Sequence, residues 1–216
     1  MRIPVAGGLV VGGDLTVPAA ASGLVVFCHG SGSSRHSERN RAVAEHLRTT
    51  GLATLLMDLL TLDEEALDVR TGALRFDIGL LAGRVADATT WIDTRPETAA
   101  MRLGYFGAST GAAAALTAAA RNPARVHAIV SRGGRPDLAE NALTRVRAPT
   151  LLIVGGRDDH VIDLNRHAAQ ALSVEHRLEI IPGATHLFEE PGALDKVAQL
   201  ARAWFVSHLR SPKPSP

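Results

Sequence analysis

The sequence predicts an α/β protein with a mostly parallel sheet of about eight strands and helices on both faces. Short apolar, β-branched segments alternate with longer helical segments, which is typical of parallel strands joined by crossover helices. The strand candidates Leu24–Cys28 and Leu151–Val154 are apolar at every position, as in a sheet that is buried on both sides. No internal repeat or linker divides the chain, so we expect a single domain over residues 1–210.

The elements are assigned in chain order. Glycine and aspartate at positions 12–14 predict the turn of an N-terminal hairpin with strands Ile3–Val11 and Leu15–Pro18. The other strands are predicted at Leu24–Cys28, Ala53–Met57, Arg102–Phe106, Ala128–Ser131, Thr150–Val154 and Arg177–Ile181. Helices are predicted at Arg39–Thr49, Phe76–Asp93, Thr110–Arg121, Asp163–Leu172 and Gly192–Leu209. Asp163 is the expected cap of its helix. The segment Leu59–Arg75 is interpreted as a loop, and the Pro-rich tail 211–216 is expected to be disordered.

Composition excludes several classes of protein. Hydrophobic residues make up 46% and charged residues 21% of the chain, as in ordinary globular proteins. The 23 Lys and Arg residues nearly balance the 22 Asp and Glu residues, so we expect neither nucleic acid nor a membrane as a partner. A single cysteine, Cys28, excludes an intrachain disulfide and a Cys-based zinc site. We expect no metal and no cofactor, and no apolar run has the length of a membrane span.

The N-terminus resembles a secretory signal only loosely. The segment Ile3–Val11 is apolar, and three alanines at positions 19–21 imitate a cleavage site. Pro4 and several glycines interrupt any apolar helix, however. We therefore expect a cytoplasmic protein, whose oligomeric state the sequence leaves open.

A serine flanked by glycines follows one predicted strand. The segment Gly107-Ala108-Ser109-Thr110-Gly111 is a G-x-S-x-G motif placed between a strand and an Ala-rich helix. The two glycines allow the strand and helix backbones to approach closely, and the helix start directs free N–H groups at developing negative charge. The motif predicts Ser109 as a nucleophile, with an ordinary turn and a helix-capping serine as the alternative.

The partners that such a serine needs follow the last two predicted strands. A serine hydroxyl is a weak nucleophile unless a histidine accepts its proton and an acid orients that histidine. Asp158 and Asp159 follow the next-to-last strand, and Asp158 is favoured because it comes earlier in the turn, although either could cap a helix. His186 follows the last strand. The carboxyl ends of parallel strands share one edge of the sheet, so we predict a triad of Ser109, Asp158 and His186.

The loop after the strand Leu24–Cys28 reads His29-Gly30-Ser31-Gly32. Its glycines allow a backbone amide to turn inward. The N–H groups of Ser31 and Thr110 are therefore predicted to form an oxyanion hole. A loop without a role is one alternative, and a phosphate-binding loop is another, although neither glycine-rich phosphate motif is present. His29 is expected to support the loop by hydrogen bonding.

Two arginines follow strands at the same predicted edge. Arg35 comes after the oxyanion loop, and Arg132 directly follows the strand that ends at Ser131. A guanidinium there could bind a carboxylate or phosphate of the substrate through two parallel N–H bonds. The alternative is a surface role, because almost every cation in this chain is an arginine.

With these motifs the chain resembles the α/β-hydrolases, and among them the dienelactone hydrolase-like group. The residues that carry the resemblance extend over nearly the whole chain: His29-Gly30-Ser31-Gly32, Gly107-Ala108-Ser109-Thr110-Gly111, Gly155-Gly156-Arg157-Asp158 and Gly183-Ala184-Thr185-His186. The resemblance implies the α/β-hydrolase fold and a cofactor-free hydrolase of small esters, lactones or thioesters. The namesake enzymes use cysteine where this chain has Ser109. Segments 32–37 and 131–137 also resemble a subgroup found attached to phosphoribosyltransferase domains, although the chain has no phosphoribosyltransferase signature.

Little or no lid is expected over the site. The G-x-S-x-G turn is the nucleophile elbow of this fold. Many α/β-hydrolases carry a helical lid between the strand that follows the elbow and the strand that precedes the acid, where this chain has only residues 132–149. The leading hypothesis is a serine hydrolase that acts on a small-molecule acyl substrate through an acyl-enzyme on Ser109. The alternatives are a catalytically silent binding protein with the same fold, and an acyltransferase or perhydrolase with the same triad.

Overall fold

The strands form one eight-stranded sheet in a computed structural model that describes residues 1–210. They are β1 (Arg2–Val5), β2 (Leu9–Thr16), β3 (Gly23–Cys28), β4 (Leu52–Met57), β5 (Leu103–Ala108), β6 (Val126–Arg132), β7 (Thr150–Gly155) and β8 (His176–Ile181). Their order is β1-β2-β4-β3-β5-β6-β7-β8. Strands β1 and β2 pair antiparallel with each other, and β2 pairs antiparallel with β4. Every other pair of neighbouring strands in this order is parallel. The predicted fold class is confirmed, while the predicted tail at 211–216 lies outside the described residues.

The helices cover both faces of this sheet. They are α1 (Glu38–Arg48), α2 (Leu62–Thr71), α3 (Ile78–Asp93), α4 (Thr110–Arg121), α5 (Asp159–Ala171) and α6 (Ala193–Leu209). Helices α1 and α6 pack against each other over one face, and α3 and α4 pack together over the other. None of the helices in the described range is both long and apolar enough to cross a membrane.

The apolar side chains of the central strands belong to two clusters, one on each face of the sheet. In β3, Val25 and Phe27 pack toward α1 and α6, whereas Leu24 and Val26 pack toward α3 and α4. Successive side chains of a strand point to opposite faces. The all-apolar strands therefore reflect a sheet that is covered on both sides.

The N-terminal hairpin turns at a different place from the predicted one. Strand β2 runs through positions 12–14, and the chain reverses at Ala6–Gly8, where Gly7 and Gly8 have φ of +77° and +71°. A Cβ on Gly12 would lie 2.5 Å from Nη1 of Arg35, and one on Gly13 would lie 2.5 Å from Cδ1 of Ile3. The glycines at 12 and 13 therefore provide space for packing rather than a turn.

The segment Leu59–Arg75, which was predicted to be a loop, contains helix α2. Thr61 Oγ1 accepts the N–H of Glu64 at 3.3 Å, and the Glu64 carboxylate accepts the N–H of Thr61 at 2.8 Å. This reciprocal capping satisfies backbone donors at the start of the helix. Arg84 of α3 donates to the other Glu64 oxygen at 2.6 Å, so the helix is fixed to the body of the protein.

Residues 136–145 occupy the part of the chain where other hydrolases carry a lid. They form short 3-10 turns that contact α4 and α5 and whose buried side chains are Pro136, Ala139, Ala142 and Leu143, so they do not form a separate helical lid. The expectation of little or no lid is therefore confirmed.

Candidate active site

Ser109 occupies a sharp turn between β5 and α4. Its backbone has φ 51° and ψ −123°, a region that side-chain-bearing residues rarely adopt. A Cβ on Gly107 would overlap Cα of Ala112, and a Cβ on Gly111 would overlap the carbonyl oxygens of Cys28 and His29. Both glycines of the motif are thus required by close backbone approach, and the turn projects the hydroxyl of Ser109 from the carboxyl edge of the sheet.

His186 and Asp158 are held together by two neighbouring loops. His186 Nδ1 lies 2.7 Å from Oδ2 of Asp158, so an ionised Asp158 fixes the tautomer in which Nδ1 carries the proton and Nε2 accepts one. The loops are joined because Arg157 N–H donates to the Ala184 carbonyl at 2.9 Å. Asp159, the competing acid, is an exposed residue in the first turn of α5.

Helix α5 begins at Asp159, four positions earlier than the predicted Asp163. Asp158 is the residue before the helix, but its side chain makes no capping hydrogen bond. Its carboxylate is directed to His186 instead. The position that would ordinarily stabilise the helix start is therefore used to orient the histidine.

Ser109 and His186 line one cleft of about 210 Å³. Within the described residues no direct hydrogen bond joins the two side chains. Contacts between a nucleophile and its base are often long in the absence of substrate and tighten when it binds. A Cβ on Gly133, at φ +50°, would approach Cε1 of His186 to 3.6 Å, so the residue after β6 leaves space for the ring.

The predicted oxyanion donors lie side by side. The hydroxyl groups of Ser31 and Thr110 are 3.1 Å apart, and a Cβ on Gly30 would lie 2.9 Å from Cβ of Ser109. In residues 1–210, neither the amide of Ser31 nor that of Thr110 donates a hydrogen bond to the protein. Both amides are therefore free to donate to an oxygen of a ligand.

His29 supports the oxyanion loop. Its Nδ1 donates to the Gly30 carbonyl at 2.9 Å, and its Nε2 accepts the N–H of Leu59 at 3.0 Å. Burial lowers the pKa of His29, against the opposing effects of the Gly30 carbonyl and the Asp58 charge. The ring is therefore neutral, and it connects the loop after β3 to the loop after β4.

The model of the dienelactone hydrolase family matches residues 11–206 of the chain. The chain belongs to the dienelactone hydrolase family. A dienelactone hydrolase from Anabaena variabilis is 58% identical, with a TM-score of 0.95 over 97% of both chains. The esterase domain of a Rhodothermus marinus protein shares the fold at 20% identity and a TM-score of 0.75, over 96% of this chain and 97% of that one.

A Mycobacterium tuberculosis protein named as a phosphoribosyl transferase is 59% identical over 211 residues. The match covers 98% of this chain and 47% of the relative. The chain thus spans about half the length of the curated relatives that it matches.

In this dienelactone hydrolase family member, one of the two predicted substrate arginines lines the cleft. Arg132 is 8% exposed, borders the cleft with Ser109 and His186, and has no hydrogen-bond partner at Nε or Nη1 within the described chain. Its burial, together with the nearby charge of Arg39, lowers the pKa of Arg132 to about 10. Arg132 is therefore a cation that the surrounding protein does not neutralise.

Arg35 is placed elsewhere. Its guanidinium is paired with Asp58, its backbone N–H donates to the same carboxylate at 2.8 Å, and its Nε is 3.7 Å from Asp14. It does not border the cleft. Arg35 is thus engaged in ion pairs with Asp58, which follows β4, and with Asp14 of β2.

Sequence reasoning missed two other residues of the cleft, Arg39 and Asn40 of α1. The sequence contained a signal, because serine is a preferred N-cap residue. Ser37 caps this helix by accepting the N–H of Asn40 at 3.3 Å. Both residues lie in the first turn of a helix that follows the oxyanion loop, which places them at the carboxyl edge of the sheet.

A second pocket of about 80 Å³ also borders the oxyanion loop, and we call it the apolar pocket because most of its exposed lining is apolar, although Asp58, Glu65, Asp68 and Arg75 also border it. Its apolar wall consists of Leu59, Leu60, Val69 and Leu81. Ser31 and Thr110 border it, whereas His186 and Arg132 do not. Both predicted oxyanion residues therefore border the apolar pocket, and Ser31 also borders the cleft that contains the unneutralised Arg132.

The described residues contain no cluster of three or more His, Cys, Asp or Glu side chains that could hold a metal ion. The single thiol, Cys28, is buried, and burial raises its pKa to about 12.

Proposed function

We propose that the chain is a serine hydrolase that cleaves a small ester, thioester or lactone through an acyl-enzyme on Ser109. The observation that carries the proposal is the convergence in one cleft of the strained Ser109 and of His186, whose Nδ1 lies 2.7 Å from Asp158. This arrangement supplies a nucleophile, a base and an orienting acid in the roles that acyl transfer requires. Membership of the dienelactone hydrolase family supports a hydrolase of the same fold.

The proposed reaction has two halves. His186 Nε2 takes the proton of Ser109 as Oγ attacks the carbonyl carbon, and the N–H groups of Ser31 and Thr110 stabilise the oxyanion. The bond to the leaving group breaks as His186 returns the proton to the leaving oxygen or sulfur. Water then attacks the acyl-enzyme with His186 as base, so that a carboxylic acid leaves and Ser109 regains its proton.

Two alternatives use the same residues. In acyl transfer or perhydrolysis, an alcohol or hydrogen peroxide replaces water in the second half of the reaction. A silent binding protein would hold the ligand without forming a covalent bond. The phosphoribosyl transferase name belongs to a relative about twice as long, of which this chain matches 47%.

Labelling of Ser109 tests the proposal directly. A fluorophosphonate probe should add to Ser109, and short-chain aryl esters should be hydrolysed with a burst of the phenol equal to one per active site. Ser109→Ala should lose both signals and remain folded. An unlabelled Ser109 in folded protein would favour the silent binding protein, whereas a new ester formed in added alcohol would favour acyl transfer.

A further inference from the structure

The cleft beside Ser109 contains polar atoms that the protein leaves without partners. Arg132 is buried with Nε and Nη1 unpaired, and Asn40 is 2% exposed with Oδ1 unpaired, within residues 1–210. Buried polar groups are ordinarily hydrogen-bonded, and an uncompensated buried charge costs several kcal/mol. These atoms line one cleft with the nucleophile, so a bound ligand is the natural partner.

The charge of this cleft specifies the kind of ligand. Arg39 adds a second guanidinium, whose Nε is also buried and unpaired in the described chain and whose Nη1 lies 3.2 Å from the exposed Glu189. No Asp or Glu is among the described residues that line the cleft. Arg132 has no carboxylate partner in the described chain, and Arg39 is paired only with the exposed Glu189, which does not line the cleft. Together they favour an oxyanion, which a planar fork can bind through parallel N–H bonds.

The position of His186 specifies which part of the substrate carries the oxyanion. His186 has to give its proton to the leaving group, and it lines the cleft of Arg132 but not the apolar pocket. The acyl group must extend from the same carbonyl in another direction, and the apolar pocket lies beside Ser31 and Thr110. A pocket of about 80 Å³ with a largely apolar surface suits a short apolar acyl chain.

We infer that the substrate is an ester or thioester with a small apolar acyl group and a leaving group that carries an oxyanion, bound by Arg132 and Arg39. The inference rests on the proposed function and adds to it the class of substrate. Arg132 and Arg39 then act in substrate binding and in acylation. Neither has a role in the breakdown of the acyl-enzyme, because the anionic leaving group has departed by that stage.

Esters that share one acyl group provide the test. Phenyl acetate, 3-acetoxybenzoate and 3-acetoxyphenyl phosphate form the same acetyl-enzyme and differ in the charge of the leaving group, whereas phenyl hemisuccinate carries its charge on the acyl side. Arg132→Met should lower kcat/KM for 3-acetoxybenzoate or for the phosphate by about 10- to 100-fold, the loss expected for a charged hydrogen bond. It should change kcat/KM for phenyl acetate and for the hemisuccinate by less than about threefold.

The remaining arms separate substrate binding from a structural role. Breakdown of the acetyl-enzyme should proceed at the same rate in Arg132→Met and in the native protein, and Arg132→Lys should restore part of the preference. Arg41→Gln is the matched control, because Arg41 lies two residues from Arg39 on α1 but contacts Asp14 outside the cleft. The larger of the carboxylate and phosphate effects identifies the oxyanion.

An equal loss for charged and neutral esters would overturn the inference, and so would a preference for the hemisuccinate. If the proposed function fails and no ester is turned over, binding of 3-hydroxybenzoate and of 3-hydroxyphenyl phosphate still tests whether Arg132 and Arg39 form an anion site. Calorimetry should then show binding of at least one of the two to the native protein and a loss of at least about 10-fold in affinity with Arg132→Met. Absence of binding of both in the native protein would refute the anion site itself.

Discussion

At residue 109 the backbone has φ 51° and ψ −123°, a conformation that costs roughly 1–3 kcal/mol for a side chain other than glycine. We expect Ser109→Ala and Ser109→Gly to lower kcat by about 10⁴- to 10⁶-fold, because both remove the nucleophile. Ser109→Gly should unfold with a free energy about 1 kcal/mol higher than that of Ser109→Ala, because glycine adopts this conformation without strain. Ester turnover and urea denaturation measure the two effects.

The paired variants serve as controls for each other, since they differ only in one Cβ. Near-native esterase activity in either variant would exclude Ser109 as the nucleophile. Equal unfolding free energies for Ser109→Ala and Ser109→Gly would show that the turn is not strained, whatever the effect on esterase activity.

The two adjacent acids at 158 and 159 offer a second matched pair. Asp158→Asn should lower kcat by about 10⁴-fold, because an amide can donate to Nδ1 of His186 and stabilise the wrong tautomer. Asp159→Asn should change kcat by less than about threefold, since the side chain is exposed and lies outside the cleft. Steady-state kinetics on a neutral aryl ester measures both, and the reverse ranking would assign the orienting role to Asp159.

Among the elements, the loops after β3 and β4 depend on one neutral histidine. The pKa of His29 is lowered, chiefly by burial, so the unfolded chain binds a proton more readily than the folded one. Stability is therefore fully present above pH ~6.5, the ordinary value for histidine, and falls as pH decreases below it, with a slope of up to about 1.4 kcal/mol per pH unit. We expect His29→Gln, which retains an acceptor for the Leu59 amide, to lose this dependence.

Urea denaturation of the native protein and of His29→Gln between pH 5 and 8 measures the contribution of His29 as a difference. The other histidines are unchanged between the two proteins and cancel. Parallel curves for the two proteins would show that His29 is not held neutral by the fold.

Two glycines in neighbouring helices should respond to alanine with opposite signs. Gly72 ends α2 with φ +66°, so Gly72→Ala should lower the unfolding free energy by about 1 kcal/mol. Gly83 lies within α3, and a Cβ there meets no atom within 4 Å, so Gly83→Ala should raise it by about 0.8–1 kcal/mol. Thermal unfolding of the two variants tests the assignment of α2, because a loop at this position would not require a left-handed residue.

The sequence predicted the strands better than the turns and helix starts. Continuous apolar runs identified the central strands because burial on both faces leaves a clear signal. The same logic failed at Gly12 and Gly13, whose role is to make room for Arg35 and Ile3, a contact between distant residues. Helix α2 had a readable capping box, Thr61 with Glu64, but its apolar residues Leu62 and Val69 are exposed, so it lacks the apolar stripe of a typical packed helix.

For the whole molecule, the parallel sheet accounts for what could be predicted of the site. Ser109, Asp158 and His186 are far apart in sequence, but each follows a strand whose carboxyl end lies at the same edge. Strand alternation alone therefore predicted that they converge. The neighbourhood of Arg132 and Arg39 could not be predicted in this way, since it depends on how α1 packs against the strands.

The buried, unneutralised charge of Arg132 should lower the unfolding free energy of the whole protein. Replacing a buried ion pair by apolar side chains of similar volume removes the cost of desolvation and can stabilise a protein by about 1–4 kcal/mol. Arg132 has no partner at Nε or Nη1 whose loss would offset that gain. We expect Arg132→Met to raise the melting temperature by roughly 2–4 °C for each kcal/mol, as in other domains of this size. Added phosphate should raise the melting temperature of the native protein, since an anion that binds only the folded state stabilises it.

The same addition should have little effect on Arg132→Met, so that the two melting curves approach each other as phosphate increases. Arg41→Gln removes the same charge from the protein surface and should behave as the native protein does in both measurements. A lower melting temperature for Arg132→Met would mean that the guanidinium stabilises the fold through contacts of its own. In that case the loss of activity in this variant would no longer identify a substrate contact, and the kinetic comparison between charged and neutral leaving groups would have to be made with Arg132→Lys, which keeps the charge.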